Sequence, residues 1–126
     1  MNTILAIAAG GALGAVGRYL AVLAMGRWLG TEFPWGTLMV NVAGGLAMGL
    51  LAGLGAHAWQ PSPDLRAFLL TGLLGGFTTF SAFSLDVALL WERGEMAAAL
   101  AYVLASVVCS VGALFAGLWA ARMVTA

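Results

Sequence analysis

Residues 75–84, Gly-Gly-Phe-Thr-Thr-Phe-Ser-Ala-Phe-Ser, interrupt a hydrophobic segment that runs from Leu65 to Trp91. A segment of this length and apolarity is typical of a membrane-spanning helix. Glycines, adjacent threonines and spaced serines disfavour an uninterrupted helix, so the sequence predicts a break near the middle of the span. Because unwound backbone inside a membrane must be buried in protein or line a watery cavity, the break indicates an ion or substrate site.

The composition excludes an ordinary soluble domain. The chain has 126 residues, of which 63% are hydrophobic and 8% are charged, and its mean hydropathy is +1.02. A soluble domain carries about 25% charged residues, so this chain needs lipid around it. The net charge is zero and no basic block suggests a nucleic-acid partner. The single cysteine, Cys109, is expected to pack as a small apolar group.

Charged and turn-forming residues divide the chain into four hydrophobic spans. Each span meets the requirement of about 20 residues for crossing the hydrocarbon. Five tryptophans lie near the span ends, as in an interfacial aromatic belt. The sequence therefore predicts an all-α integral membrane protein with one domain over residues 1–126, the first span being retained. The predicted spans are, approximately, residues 4–25, 35–56, 65–91 and 96–121.

The arginines are balanced between the two sides of the predicted bundle. Four spans put both termini on one side, together with Arg66 and Arg122, and leave Arg27 and Arg93 on the other. The positive-inside rule sets orientation from a charge difference, and Arg18, inside the first span, adds little bias. This balance favours insertion in both orientations and hence an antiparallel homodimer. The alternative is a single orientation that other cues select.

Polar residues at membrane depth are the candidates for a pathway. Asn41 offers amide donors and acceptors, for a function or for an interhelical hydrogen bond. Tyr102, Ser106 and Ser110 recur every four residues and share one face of the last span. Their hydroxyls could contact an anion or water, or the serines could bond back to their own helix.

Two aromatic residues lie on one helix face beside the break, Phe80 and Phe83. Ring edges favour a small anion, although phenylalanines in a span ordinarily face lipid or the protein core. The break itself could hold an anion through freed amides or a cation through freed carbonyls. Arg18 could line a vestibule that attracts anions or snorkel to the interface, and Asp86 could pair with the break or lie at a pore mouth. No spacing suits a nucleophile–base pair or a metal-ligand cluster, so we expect no enzyme.

Three motifs lie in order along the chain: Gly-Ala-Val-Gly-Arg-Tyr at residues 14–19, Gly-Thr-Leu-Met-Val-Asn-Val-Ala-Gly at residues 36–44 and the sequence of residues 75–84. Together they resemble the motifs of the CrcB/Fluc family of fluoride channels. The resemblance covers nearly the whole chain, and the third motif is highly specific. At Ala82 the chain departs from the family, which usually has threonine there, so one hydroxyl of the polar side is missing.

The resemblance implies a passive fluoride channel in a bacterial inner membrane, built as an antiparallel dual-topology dimer with two pores. It implies that Phe80 and Phe83 of both subunits flank the fluoride paths and that Arg18 lies near a vestibule. A structural Na⁺ at the dimer interface would be held by main-chain carbonyls of Gly75 and Thr78. Polar contacts along the paths would come from Asn41, Ser81, Tyr102 and Ser106, with Ser110 next on the same face.

Two other functions are compatible with four spans. A small proton-coupled multidrug exporter of the four-span, dual-topology type carries a glutamate in its first span, whereas this chain has Arg18 there and no acid. A non-transporting assembly factor would explain the glycine stripe at Gly45, Gly49 and Gly53, but not a broken span with aligned hydroxyls. The passive channel is therefore the leading prediction.

Overall fold

The computed structural model describes residues 2–126, apart from the side chain of His57, as a bundle of helices. Helix α3 covers residues 63–77 and contains an α-helical turn at Pro63–Arg66, a π-helix at Ala67–Leu74 and a last turn at Gly75–Phe77. The other helices are α1 (Asn2–Leu29), α2 (Trp35–His57), α4 (Ser81–Glu92) and α5 (Met96–Thr125).

Within residues 2–126, four helical stretches are long and apolar enough to cross a membrane. The second, Trp35–Ala56, coincides with its predicted span, and the others extend a few residues beyond theirs. The extra residues belong to the polar ends of the helices, which hydropathy alone does not assign to a span. The predicted all-α class with four membrane spans is confirmed. The other three stretches are Asn2–Leu29, Pro63–Glu92 and Met96–Thr125.

The third span changes its packing partner along its length. Helix α3 packs along α1, whereas α4, the second half of the same span, packs against α5. Helix α2 packs along most of α5 and also touches α1 and α3. The interruption at residues 78–80 lets one span contact two different helices, because the chain changes direction there.

Glycines bring the helix backbones into direct contact. A β-carbon on Gly10 of α1 would lie 2.8 Å from the Leu73 amide nitrogen of α3. A β-carbon on Gly45 of α2 would lie 2.8 Å from the Ser110 carbonyl oxygen of α5. Both distances are shorter than a side chain tolerates, so the small residues are required for close packing of the helices.

The buried apolar cluster of the single chain is small. Phe83 and Leu90 of α4 pack against Ala99 and Tyr102 of α5, with Phe33 of the α1–α2 connection beside them. Large apolar side chains elsewhere remain exposed on all the helices. Stability therefore depends on helix-to-helix contact and on the apolar surroundings rather than on a central core.

We expect Gly49→Ala to disrupt the α2–α5 contact, because the added methyl group would overlap the Leu114 carbonyl oxygen. Overpacking against backbone should lower the free energy of unfolding by about 1–3 kcal/mol or more. Thermal unfolding of the detergent-solubilised protein measures the change. Gly112→Ala is the control, because a β-carbon at Gly112 meets no atom within 4 Å. Equal stability of the two variants would contradict the packing role of Gly49.

Candidate functional site

Residues 78–80 form the break between helices α3 and α4. Helix α3 ends at Phe77, and Thr78 adopts an extended conformation with φ −88° and ψ 158°. Phe80 precedes the first turn of α4 with φ −94° and ψ −34°. The extended ψ of Thr78 stops the helical hydrogen-bond pattern, so the backbone groups around it need other partners.

Asn41 of α2 supplies partners for both backbone groups of Thr79. Its Nδ2 donates to the Thr79 carbonyl oxygen at 2.9 Å, and its Oδ1 accepts from the Thr79 amide at 2.8 Å. A single carboxamide therefore satisfies the residue at the centre of the break. Asn41 thus makes an interhelical contact and also lies at the candidate site.

The side chain of Thr79 caps the helix that follows. The Ala82 amide donates to Thr79 Oγ1 at 3.1 Å, which satisfies one of the first amides of α4. Ser81 Oγ lies 3.4 Å from the same oxygen. The sequence motif contains Thr79, but no role for its side chain was predicted, because capping depends on the path of the backbone.

The diverted amides identify two carbonyl groups at the break. In a continuous helix the Thr79 amide would bond the Gly75 carbonyl, and the Ala82 amide would bond the Thr78 carbonyl. Both amides instead donate to side chains, those of Asn41 and Thr79. Gly75 and Thr78 are the residues for which carbonyl ligation of a cation was predicted. Carbonyls that lack their helical donor, whether in the last turn of α3 or in the break, can ligate Na⁺, so the backbone present here fits such an ion.

The carbonyls of Leu74 and Gly76, on either side of Gly75, do have donors. The Leu74 carbonyl accepts from the Thr78 amide at 3.0 Å and from Thr78 Oγ1 at 2.9 Å. The Gly76 carbonyl accepts from Arg18 Nε at 3.1 Å. The guanidinium of α1 therefore contacts the end of α3, where a positive charge also complements the carbonyl end of the helix. The predicted vestibule role of Arg18 stays a prediction.

A cavity of about 510 Å³ adjoins the break. It brings together most of the predicted site residues, from α2, the break, α4 and α5. It also includes apolar residues that sequence reasoning missed, since hydrophobic positions in a span carry no signal for a cavity. The lining consists of Asn41, Gly44, Gly45, Met48, Gly75, Thr78, Thr79, Phe80, Phe83, Ser106, Val107, Ser110, Val111 and Leu114.

Two serine hydroxyls in the cavity wall have no hydrogen-bond partner among the described residues. Ser106 Oγ and Ser110 Oγ are buried and make no hydrogen bond with any of residues 2–126. The alternative in which these serines bond back to their own helix is therefore not observed. Since a buried hydroxyl without a partner is costly, the two groups are candidates to bond an ion or water that enters the cavity.

Phe80 and Phe83 differ in how far they are buried beside the cavity. Phe83 is buried, whereas Phe80 is 77% exposed in the single chain, and their ring centroids lie 5.5 Å apart. Phe83 also packs on the ring of Tyr102, with centroids 5.2 Å apart. Phe83 is therefore fixed by its neighbours, while Phe80 presents its ring at the open side.

Two of the predicted pathway residues lie outside the cavity lining. Tyr102 is fully buried, and its hydroxyl donates to Asp86 Oδ2 at 3.0 Å. Ser81 is exposed next to Thr79. Asp86 also lines a second cavity of about 160 Å³ near the α1–α2 connection. The pairing of Tyr102 with Asp86 joins two helices, and no local sequence pattern indicates it.

We expect Asn41→Leu, which keeps the side-chain size, to leave both backbone groups of Thr79 unpaired. The free energy of unfolding should fall by roughly 2–4 kcal/mol, because each unpaired backbone group costs about 1–2 kcal/mol. Thermal unfolding of the solubilised protein measures this loss. Ser81→Ala is the control and should change stability by no more than about 0.5 kcal/mol. An Asn41→Leu protein as stable as the control would refute the bridging role.

Comparisons with known proteins show the family of the chain. Residues 5–118 match the family described as CrcB-like protein, Camphor Resistance (CrcB). The chain is 69% identical over 118 residues to a protein of Rhodospirillum centenum named fluoride-specific ion channel FluC, covering 94% of both chains. It is 60% identical over 124 residues to a protein of the same name from a Chelativorans species, covering 98% of this chain and 99% of the relative. This multi-pass membrane protein belongs to the CrcB-like family.

Proposed function

We propose that the protein is a fluoride-selective channel that lets cytoplasmic fluoride leave the cell down its electrochemical gradient. The observation that carries the proposal is the cavity at the break, where Asn41, two phenylalanine rings and two unpartnered serine hydroxyls come together. The names of the two relatives given above, both called fluoride-specific ion channels, support the choice of ion.

The cavity wall offers donors suited to a small anion. Asn41 Nδ2 carries two hydrogens, and the Thr79 carbonyl needs only one of them. The hydroxyls of Ser106 and Ser110 add two further O–H donors at successive turns of α5. The edges of the rings of Phe80 and Phe83 carry partial positive charge. Together these groups can replace part of the water around fluoride without adding a fixed positive charge.

We propose that the channel is an antiparallel homodimer with two pores. Phe80 is 77% exposed beside the cavity, so a second copy would be needed to close the open side of the pathway. The balance of Arg27 and Arg93 against Arg66 and Arg122 supports insertion in both orientations. An antiparallel pair repeats every contact, which gives one pathway on each side of the two-fold axis.

A structural Na⁺ at the dimer interface is part of the proposal. The Gly75 and Thr78 carbonyls would hold the ion, and the amides that a continuous helix would direct at them are bonded to side chains instead. When bound, Na⁺ would compensate the partial negative charge of the carbonyls and join the two breaks. The break would then lie near the middle of the membrane, where unwound backbone needs such a partner.

Passive transport needs no coupling group. In a bacterial inner membrane that is negative inside, the potential alone favours exit of an anion by about 2.3 kcal/mol per 100 mV. Arg18 contacts the Gly76 carbonyl close to the break and would raise the local concentration of anions at the entrance.

We expect purified protein in liposomes to release fluoride rapidly and retain chloride, measured with ion-selective electrodes under a potassium–valinomycin clamp. Phe80→Ile and Phe83→Ile should each slow fluoride release at least about tenfold, which corresponds to a barrier raised by about 1.4 kcal/mol. Phe115→Ile is the matched control, because Phe115 is exposed on α5 and lines neither cavity. Undiminished release from both pathway variants would exclude the aromatic route, and drug efflux driven by a pH gradient would favour an exporter.

The orientation is tested by labelling single cysteines in whole cells. In a Cys109→Ser background, Thr31→Cys and Gln60→Cys place one thiol on each side of the bundle, in the α1–α2 and α2–α3 connections. With dual topology, a membrane-impermeant maleimide should label about half of each variant, because the arginines impose no preference. Complete labelling of one variant and protection of the other would show a single orientation.

A further inference from the structure

We infer that Thr79 is a positioning residue for the cation at the break. Its hydroxyl accepts the hydrogen bond of the Ala82 amide and so keeps the Thr78 carbonyl free to bind the cation. The inference rests on the Na⁺ site proposed above. It concerns a side chain that does not itself touch the ion and to which sequence reasoning assigned no role.

The competition is between two acceptors for one amide. The Ala82 amide lies four residues after Thr78, so the Thr78 carbonyl is its ordinary helical acceptor. The amide instead donates to Thr79 Oγ1 at 3.1 Å. Without that oxygen, the Ala82 amide can donate to the Thr78 carbonyl instead, and α4 can gain one turn at its N-terminal end. The carbonyl would then point along α4 and be lost as a cation ligand.

Hydrogen bonds with Asn41 restrict the position of the Thr79 side chain. Both backbone groups of Thr79 are held by Asn41, at 2.9 and 2.8 Å. A β-branched side chain on a fixed backbone has few rotamers. The two residues therefore act one after the other. The Asn41 carboxamide fixes the backbone of Thr79, and the Thr79 hydroxyl then accepts the hydrogen bond of the Ala82 amide.

The Gly75 carbonyl, the second of the proposed site, also lacks its helical donor. The Thr79 amide would be the helical donor to the Gly75 carbonyl and is bonded to Asn41 Oδ1 instead. By contrast, the Leu74 and Gly76 carbonyls on either side have donors of their own. Both carbonyls of the proposed site are thus left without the amide that a continuous helix would direct at them.

The test measures sodium binding through stability rather than through ion flux. Solubilised wild type, Thr79→Val and Thr79→Ser are heated at increasing NaCl, with N-methyl-D-glucamine chloride keeping the ionic strength constant. The readout is the sodium concentration that gives half of the maximal rise in melting temperature, since an ion that binds only the folded protein stabilises it. Thr71→Val is the matched control, because Thr71 is an exposed threonine of α3 that lines neither cavity.

We expect Thr79→Val to raise the half-maximal sodium concentration at least about fivefold, the loss that one hydrogen bond typically causes. Thr79→Ser, which keeps the accepting oxygen, should stay within about twofold of wild type, as should Thr71→Val. If Thr79→Val yields no folded protein, Thr79→Cys replaces it, because sulfur is a weak acceptor of similar size and should also raise the concentration.

The outcomes separate this inference from the proposal beneath it. A wild-type protein that sodium stabilises, together with a valine or cysteine variant of unchanged sodium dependence, would overturn the role of Thr79 alone. An equal loss in Thr79→Ser would also overturn it, because the hydroxyl would then not be the decisive group. A wild-type protein with no sodium-specific stabilisation would overturn the cation site and this inference with it.

Discussion

The two hydrogen bonds between the Asn41 carboxamide and the backbone of Thr79 are the constraint on which the rest of the site depends. A broken helix inside a membrane is unstable unless its backbone groups find partners within the protein. Asn41 provides both partners for the central residue from a neighbouring helix. The break is therefore a defined structure with fixed geometry rather than a locally unfolded segment.

Several features of the molecule follow from this fixed break. Thr79 can cap α4 only because its backbone is held, and the cap directs the Ala82 amide away from the Thr78 carbonyl. The third span can leave α1 and join α5 because the chain turns at residues 78–80. That change of partner packs Phe83 against Tyr102 and leaves Phe80 at the open side of the cavity. The packing of the third span and the position of the two phenylalanines at the cavity therefore both depend on the break.

Sequence reasoning predicted the elements well but the contacts only in part. Hydropathy and length gave four spans whose extents agree with the helices, because burial in lipid requires long apolar runs. The position of the interruption followed from the glycines and threonines of residues 75–84. The π-helix of Ala67–Leu74, one turn before the break, was not predicted, because hydropathy and length do not distinguish a π-helix from an α-helix.

From the amino-acid sequence alone we could predict an all-α membrane protein with an interrupted third span, with Asn41, the two phenylalanines and the hydroxyls of α5 as candidate site residues. The three-dimensional packing of the helices determines that Ser106 and Ser110 share a cavity with them, whereas Tyr102 pairs with Asp86. It also determines that Arg18 contacts the Gly76 carbonyl. The physical reason is that spans and breaks arise from local composition, whereas these contacts join different helices, whose relative rotation depends on the packing of the whole bundle.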